Sequence, residues 1–240
     1  MQTGDNEIKE IRILSVIIPV YNEQDTIRDV IKKVQKLYFV KDIIVIDDGS
    51  TDNTTNIINE IKRTDPKIII LTHKCNKGKG AAIKTGLPAA TGKIIVIQDG
   101  DLEYNPDDFE KMLAPILSGK CKVVYGTRYG SIKAINETKI HRLGNWLLTK
   151  FANICTGQKL TDESTCYKMF KADLIKQIKL EEDDFGFCPE VTAKISNMGE
   201  QIYEVPIRYN PRNKKHGKKI RMIDGIKALW CLLKYSILLK

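Results

Sequence analysis

The sequence predicts an α/β protein: a mostly parallel sheet with helices on both faces, in one domain that ends in an amphipathic helix. Three observations carry this prediction. Between Ile11 and Ile97, short runs rich in Ile and Val alternate with longer segments of helical period, the pattern of βαβ units. The chain is 42% apolar and 29% charged over 240 residues, the balance of an ordinary folded protein, which excludes disordered, collagen-like and coiled-coil classes. No internal repeat or low-complexity linker divides it.

The four clear strands are ILSVIIPV (13–20), DIIVID (42–47), KIIIL (67–71) and KIIVIQ (93–98). Helices fit between them at 23–37, with Ile27, Val30, Ile31 and Val34 on one face, at about 52–63, and at about 79–90. Asp52 or Thr51 suits the cap of the second helix, and Gly78 and Gly80 open the third. Past residue 100 the pattern is less regular. It reads as a helix at 107–117, a strand at 121–126, a polar loop at 128–138, a helix at 141–156 and a strand at 165–170. A helix at 187–198, a strand at 201–209 and an amphipathic helix at 222–238 complete the chain.

The net charge of +9 is concentrated at one end: residues 205–240 hold ten Lys/Arg against one Asp, and the rest is neutral. A neutral body with a basic end points to a local anionic contact: a phosphate, a membrane surface or nucleic acid. A non-enzymatic nucleic-acid-binding module is the remote alternative, because no helix-turn-helix, zinc or single-strand stacking motif accompanies the charge. Six scattered cysteines without a C-x-x-C, and no hydrophobic signal core in the first dozen residues, predict free thiols in a reducing, cytoplasmic setting. No run reaches the ~18–20 apolar residues that span a bilayer. The best, at 228–240, is interrupted by Lys234.

Chemistry concentrates where strands end. Asp99-Gly100-Asp101 follows the strand 93–98, at the carboxyl edge where parallel sheets bind ligands. Two carboxylates around a glycine suit a divalent cation completed by substrate phosphates; taken alone they also suit an ordinary turn. Asp47-Asp48 ends a second strand on the same edge, and Pro19-Val20-Tyr21-Asn22-Glu23 ends the first, with an aromatic ring and a carboxylate suited to a base. Asn76-Lys77-Gly78-Lys79-Gly80 resembles a phosphate loop, but neither G-x-x-x-x-G-K-[ST] nor a dinucleotide fingerprint is present. Taken alone, that segment reads better as a tight turn into a helix.

In this order and spacing, SVIIPVYNE, IIVIDDGSTDNT, NKGKGAAIKTG and IIVIQDGDLEYNP resemble the nucleotide-sugar half of family 2 glycosyltransferases of the GT-A (Rossmann-like) fold. VVYGTRY, HRLGNWLLT, LTDESTCYKMF, FGFCPEVTAKI and YNPRNKKHGKKIRMIDGIKALW resemble the branch of dolichol-phosphate mannosyltransferases and other polyprenyl-phosphate hexosyltransferases. The resemblance runs from about Ile13 to Tyr235. It implies a polar extension at 1–12 and a GT-A domain at 13–210, with its nucleotide-sugar half at 13–104 and its acceptor half at 105–210. A basic loop and amphipathic helix follow at 211–240.

The resemblance also implies site residues. Asp99 and Asp101 become the metal and diphosphate site for Mg or Mn, with Glu103 as a further metal contact and Gly100 where relatives usually have Ala, a change that adds backbone freedom. Pro19, Tyr21, Glu23 and Asp48 line base and ribose, supported by Asp47; Lys79 assists at the diphosphate. Arg128 and Arg142 hold an acceptor phosphate, and Arg212 with the Lys214–Lys219 run closes over donor and acceptor. Relatives commonly have Met-Glu after the Asp of LTDESTCYK, where Glu163-Ser164 follow Asp162.

The implied activity is inverting hexose transfer, of mannose or glucose, from GDP-mannose or a UDP-hexose to polyprenyl phosphate. Transfer to a hydroxyl acceptor is the alternative, and it requires a base at Asp162 or Glu163. The basic end, Arg208 to Arg221, and the helix 222–238, with Trp230 and Tyr235 at headgroup depth, suit a peripheral site on the cytosolic face of a membrane. Core packing of that helix, a homodimer contact and a membrane-anchoring partner are the other expectations.

Overall fold

The computed structural model describes residues 12–129, 139–211 and 222–238. Its strands are β1 (Leu14–Val20), β2 (Val40–Asp47), β3 (Ile68–Thr72), β4 (Ile94–Ile97), β5 (Val123–Thr127), β6 (Lys168–Lys171) and β7 (Ile202–Pro206). They form one sheet in the order β3-β2-β1-β4-β6-β5-β7. All pairings are parallel except those of β6, which runs antiparallel to both β4 and β5.

The helices are α1 (Ile27–Gln35), α2 (Thr54–Lys62), α3 (Lys79–Gly86), α4 (Phe109–Leu117), α5 (Lys139–Thr156), α6 (Ala172–Gln177), α7 (Phe187–Asn197) and α8 (Met222–Leu233). They cover both faces because the strands are apolar on both. In β1, Val16 and Ile18 enter one core layer with Val30 and Ile31 of α1, while Ile17 enters the other with Ile83 of α3. β2 and β4 divide the same way, with Val45 and Val96 in the first layer and Ile44 and Ile95 in the second. Truncating any of these isoleucines to Ala costs about 2–5 kcal/mol.

Several elements differ from the sequence reading. α1 begins at Ile27 rather than 23, because residues 22–26 are spent on a turn that clasps the β2–α2 loop. The third helix stops at Gly86 and continues as a 3-10 turn, Leu87–Ala89, with Pro88 inside it. α6 follows β6 directly and was not expected. β7 ends at Pro206, and Tyr209 makes an isolated antiparallel bridge with Tyr104 instead.

The C-terminal helix packs on the body. Ala228, Cys231, Leu232 and Tyr235 are buried beside α7, and the last turn widens into a π-helix over Lys234–Leu238. There Lys234 Nζ meets Glu182 at 3.2 Å and the Tyr235 hydroxyl donates to Glu182 at 2.8 Å. Tyr235 is 1% exposed, so its placement at headgroup depth is corrected: its ring fills the seam with α7. Trp230, on the opposite side, is 60% exposed. No helix of the described residues is long and apolar enough to cross a membrane, and all six cysteines are free thiols.

Candidate active site

The parallel strands β2, β1 and β4 end side by side, and their loops interlock before any ligand is considered. Asn22 adopts a left-handed φ of 54° so that its amide reaches the β2–α2 loop. Its Oδ1 accepts from Thr51 N–H at 2.8 Å, and Glu23 N–H donates to Thr54 Oγ1 at 2.9 Å. The Thr26 hydroxyl lies 3.0 Å from Glu23 Oε2 and 2.8 Å from the Gly100 carbonyl, joining the ends of β1 and β4. Pro19 is buried and Tyr21 half-buried on this rim.

Asp47 and Asp48 are both buried, and both shape loops. Asp47 accepts from Ser50 N–H at 2.9 Å and from the Thr55 hydroxyl at 2.5 Å. Asp48 accepts from the N–H groups of Lys77 (2.9 Å) and Gly78 (2.8 Å), and lies 2.6 Å from His73 Nδ1. His73 in turn meets the Thr85 hydroxyl on α3 at 2.9 Å. Asp48 thus ties the turn before α3 to the end of β2. That turn needs glycine: Gly78 has φ 100°, and a Cβ there would lie 2.3 Å from the Asp183 carbonyl oxygen.

α3 opens with Lys79, whose ammonium forms an ion pair with Asp99 at the end of β4. Both side chains are largely enclosed, at 13% and 18% exposed. Burial works against the lysine's charge, but the adjacent Asp99 carboxylate outweighs it and holds the Lys79 pKa well above its ordinary value. The Cys166 thiol shares this pocket; burial first, and the negative charge of Asp99 second, push its pKa up and keep it a neutral S–H. Asp101 is buried and accepts from Glu103 N–H at 3.0 Å.

Gly100 has no left-handed φ. A Cβ there would come 3.1 Å from Val20 Cγ2, a tight approach to the end of β1.

Asp99, Asp101 and Glu103 offer hard oxygen donors of the kind Mg2+ and Mn2+ take, and Asp99 already pairs with a cation, the Lys79 ammonium. Among the described residues no three His, Cys, Asp or Glu side chains converge on one point. The arrangement fits an ion that keeps one or two carboxylates and completes its shell from substrate phosphates. Glu103 accepts from the Tyr209 hydroxyl at 3.2 Å.

On the other side of β4, Arg128 follows β5 and meets Asp162 in a two-pronged ion pair, with Nε to Oδ2 and Nη2 to Oδ1 both at 2.7 Å. Arg128 N–H adds a third bond at 3.0 Å and Asn145 of α5 a fourth at 3.1 Å. Burial opposes ionisation of Asp162, but Arg128 and these hydrogen bonds hold its pKa below the usual carboxylate value. Such a group is a poor base. The exposed Arg142, also on α5, has its guanidinium carbon 5.9 Å from the Tyr129 ring centroid.

Glu163, next to Asp162, turns the opposite way into the core. Its Oε1 accepts from Thr192 at 3.3 Å and lies 4.0 Å from Lys168 Nζ, and burial raises its pKa. The two neighbouring carboxylates therefore do not share a site.

Tyr209 joins the acidic and basic sides. Its hydroxyl contacts Glu103, its ring lies 5.2 Å from the Arg128 guanidinium carbon, and it packs on Tyr104, which stacks on Tyr167 at 4.7 Å. Arg208, named in the basic end, donates through Nε to Asp108 at 2.9 Å. Arg212, the Lys214–Lys219 run and Arg221 lie outside the described residues.

Sequence reading missed His73, Asn145, Cys166 and Tyr209 as site neighbours. His73 had one signal, its place immediately after β3. The others lie inside segments that carry the family resemblance, but far along the chain from the partners that give them a role.

The sheet order, with acidic residues where the parallel strands end, is that of a GT-A-type α/β fold. Residues 15–179 match the family model for Glycosyl transferase family 2, more than half of the chain, and the chain belongs to that family. It is 28% identical over 240 residues to the UDP-N-acetylglucosamine–dolichyl-phosphate N-acetylglucosaminyltransferase of Methanococcus voltae, covering 92% of this chain and 95% of that one. It is 26% identical over 220 residues to the undecaprenyl-phosphate mannosyltransferase of Micrococcus luteus, covering 89% and 90%. Glucosyl-3-phosphoglycerate synthase from Mycobacterium tuberculosis, solved with Mg2+ and uridine diphosphate, shares the fold, with a TM-score of 0.73 at 20% identity over 96% of this chain and 83% of that one.

Proposed function

We propose that this glycosyltransferase moves a hexose, mannose or glucose, from GDP-mannose or a UDP-hexose to a polyprenyl phosphate, with inversion and with Mg2+ or Mn2+ held by Asp99 and Asp101. The observation that carries this reading is Tyr209, which spans Glu103 on the carboxylate side and Arg128 on the arginine side. A donor diphosphate and an acceptor phosphate placed at those two ends meet over β4. Names of relatives at 26–28% identity, which act on dolichyl or undecaprenyl phosphate, support the acceptor.

In the proposed reaction an oxygen of the lipid phosphate forms the new bond to the anomeric carbon, and the bond from that carbon to the diphosphate breaks. The divalent ion supplies positive charge to the departing diphosphate. Lys79 adds a second positive charge beside it, and Tyr21 and Glu23 line the base and ribose, in a pocket whose wall Asp48 shapes. Arg128 and Arg142 orient the acceptor phosphate. That phosphate is ionised near neutral pH, so no base is required, in keeping with an Asp162 committed to Arg128.

We further propose that the enzyme works at the cytosolic face of a membrane. α5 leaves Leu143, Trp146, Leu147 and Ile154 exposed, its neighbour α8 leaves Ile226 and Trp230 exposed, and the π-helical turn after it leaves Ile237 exposed; in the sequence α8 directly follows the basic stretch.

The test is transfer from radiolabelled GDP-mannose, UDP-glucose and UDP-N-acetylglucosamine, with Mg2+, Mn2+ or chelator, into organic-extractable polyprenyl phosphate. Metal-dependent label in the organic phase is expected. Metal-dependent donor hydrolysis with no label in that phase overturns the lipid acceptor.

A further inference from the structure

Asp99 is proposed above as a carboxylate for a divalent ion, and it already holds a cation of the protein's own. The Lys79 ammonium is paired with it, both side chains largely enclosed, at the junction of β4 and α3. The backbone that carries Lys79 is held from two sides: Asp48 ties down the preceding turn through the N–H groups of Lys77 and Gly78, and Ala81 N–H donates to the Asp183 carbonyl at 3.0 Å. With its side chain 13% exposed, the ammonium must leave an enclosed ion pair before a second cation can take Asp99.

We infer that Lys79 is an internal counter-ion that blocks Asp99 from divalent metal until a nucleotide diphosphate arrives to take the ammonium, so that metal capture depends on the donor. The inference rests on the metal-site reading of Asp99 and Asp101. Its physics is ionic competition. A doubly charged ion placed on Asp99 beside Lys79 meets a positive charge already paired there in an enclosed site, where screening by solvent is weak. A diphosphate supplies several negative charges within reach of the same lysine, and Lys79 can then exchange partners without being left buried and unpaired. By linkage, metal must strengthen diphosphate binding by the same factor as diphosphate strengthens metal binding. The arrangement keeps the free enzyme from holding metal idly at a site that works only with donor present.

The test is titration of the full chain with Mn2+, following the solution electron-paramagnetic-resonance signal of free Mn2+, first without nucleotide and then with saturating UDP or GDP. Wild type is expected to bind Mn2+ weakly alone and at least about tenfold more tightly with the diphosphate. Lys79→Gln is expected to bind Mn2+ about tenfold more tightly than wild type without nucleotide, with a correspondingly smaller gain from UDP or GDP. Lys79→Met carries the same expectation without introducing an amide, and Lys79→Arg, which keeps the charge, should behave as wild type. Circular dichroism establishes that each variant is folded. If folded Lys79→Gln and Lys79→Met bind Mn2+ no more tightly than wild type in the nucleotide-free arm, the counter-ion role is overturned. Asp101→Asn separates the two readings: it should lose the tighter Mn2+ binding seen with saturating UDP or GDP, and undiminished binding in that arm would overturn the metal site itself.

Discussion

Arg128 and Asp162, 34 positions apart in the chain, face each other through paired 2.7 Å hydrogen bonds with the Asp162 side chain fully buried. A buried pair of this geometry is a poor thing to halve. Asp162→Asn leaves the guanidinium facing an amide, and the expected loss is about 3–5 kcal/mol of stability, measured by urea unfolding.

The same pair sets a pH dependence. With Arg128 and the hydrogen bonds outweighing burial, the folded-state pKa of Asp162 lies below its ordinary value of 3.8. Its contribution to stability is therefore complete above that value and drains away as pH falls through the folded pKa. Unfolding followed from pH 7 down to about 2 should show an acid limb below pH 3.8 that Asp162→Asn lacks.

At Asp101 the expected result separates chemistry from folding. Asn retains the oxygen that accepts from Glu103 N–H, so stability should stay within about 1 kcal/mol of wild type. Transfer should fall by roughly 100- to 1000-fold, the scale of losing one charge-stabilising group. Thermal melts beside radiolabel transfer decide it; normal turnover would remove the metal role.

Arg142 is exposed, with its guanidinium against the Tyr129 ring at the surface, so its removal should report chiefly on ligand. Arg142→Ala is expected to raise KM for polyprenyl phosphate about tenfold, the scale of one charged hydrogen bond, with the nucleotide-sugar KM unchanged. A selective rise in the donor KM would move this arginine to the other substrate.

Trp146 and Trp230 are 53% and 60% exposed on adjacent helices. Replacing both with Ser should weaken sedimentation with anionic vesicles by about tenfold or more while leaving the melting temperature nearly unchanged. Tyr235→Ala should do the reverse, because its ring is buried against α7 and its hydroxyl reaches Glu181 and Glu182.

The parallel part of the sheet was legible because β1, β2 and β4 are runs of Ile and Val that stop at acidic or polar rim residues. The acidic rim was legible for the same reason: Asp99 and Asp101 follow such a run directly. β6 and α6 were harder, since KMFK and ADLIKQ are too short to display a period. The amphipathic pattern of α8 established two faces without saying which one meets the body, and Tyr235 went to the wrong side. Asp48 was legible as a rim residue but not as the clasp of the 76–78 turn, because its partner His73 is a lone histidine with no motif around it. Nor could sequence distinguish Glu163 from Asp162: adjacent residues in a loop face opposite ways for reasons held in Lys168 and Thr192.

The reversed strand β6 has a consequence for the order in which the molecule is assembled. β1 to β4 can pair among themselves as soon as they are made, since each has a parallel neighbour within that block. β5 cannot: its two neighbours, β6 and β7, are both made after it, and β6 also separates it from β4. During synthesis Arg128 therefore emerges on an unpaired strand and waits through all of α5 for Asp162 to arrive. The donor rim is a product of early, local chain closure, whereas the Arg128–Asp162 pair depends on late, long-range contacts. A ribosome stalled before Lys168 would thus display a formed parallel block attached to a still unstructured acceptor side.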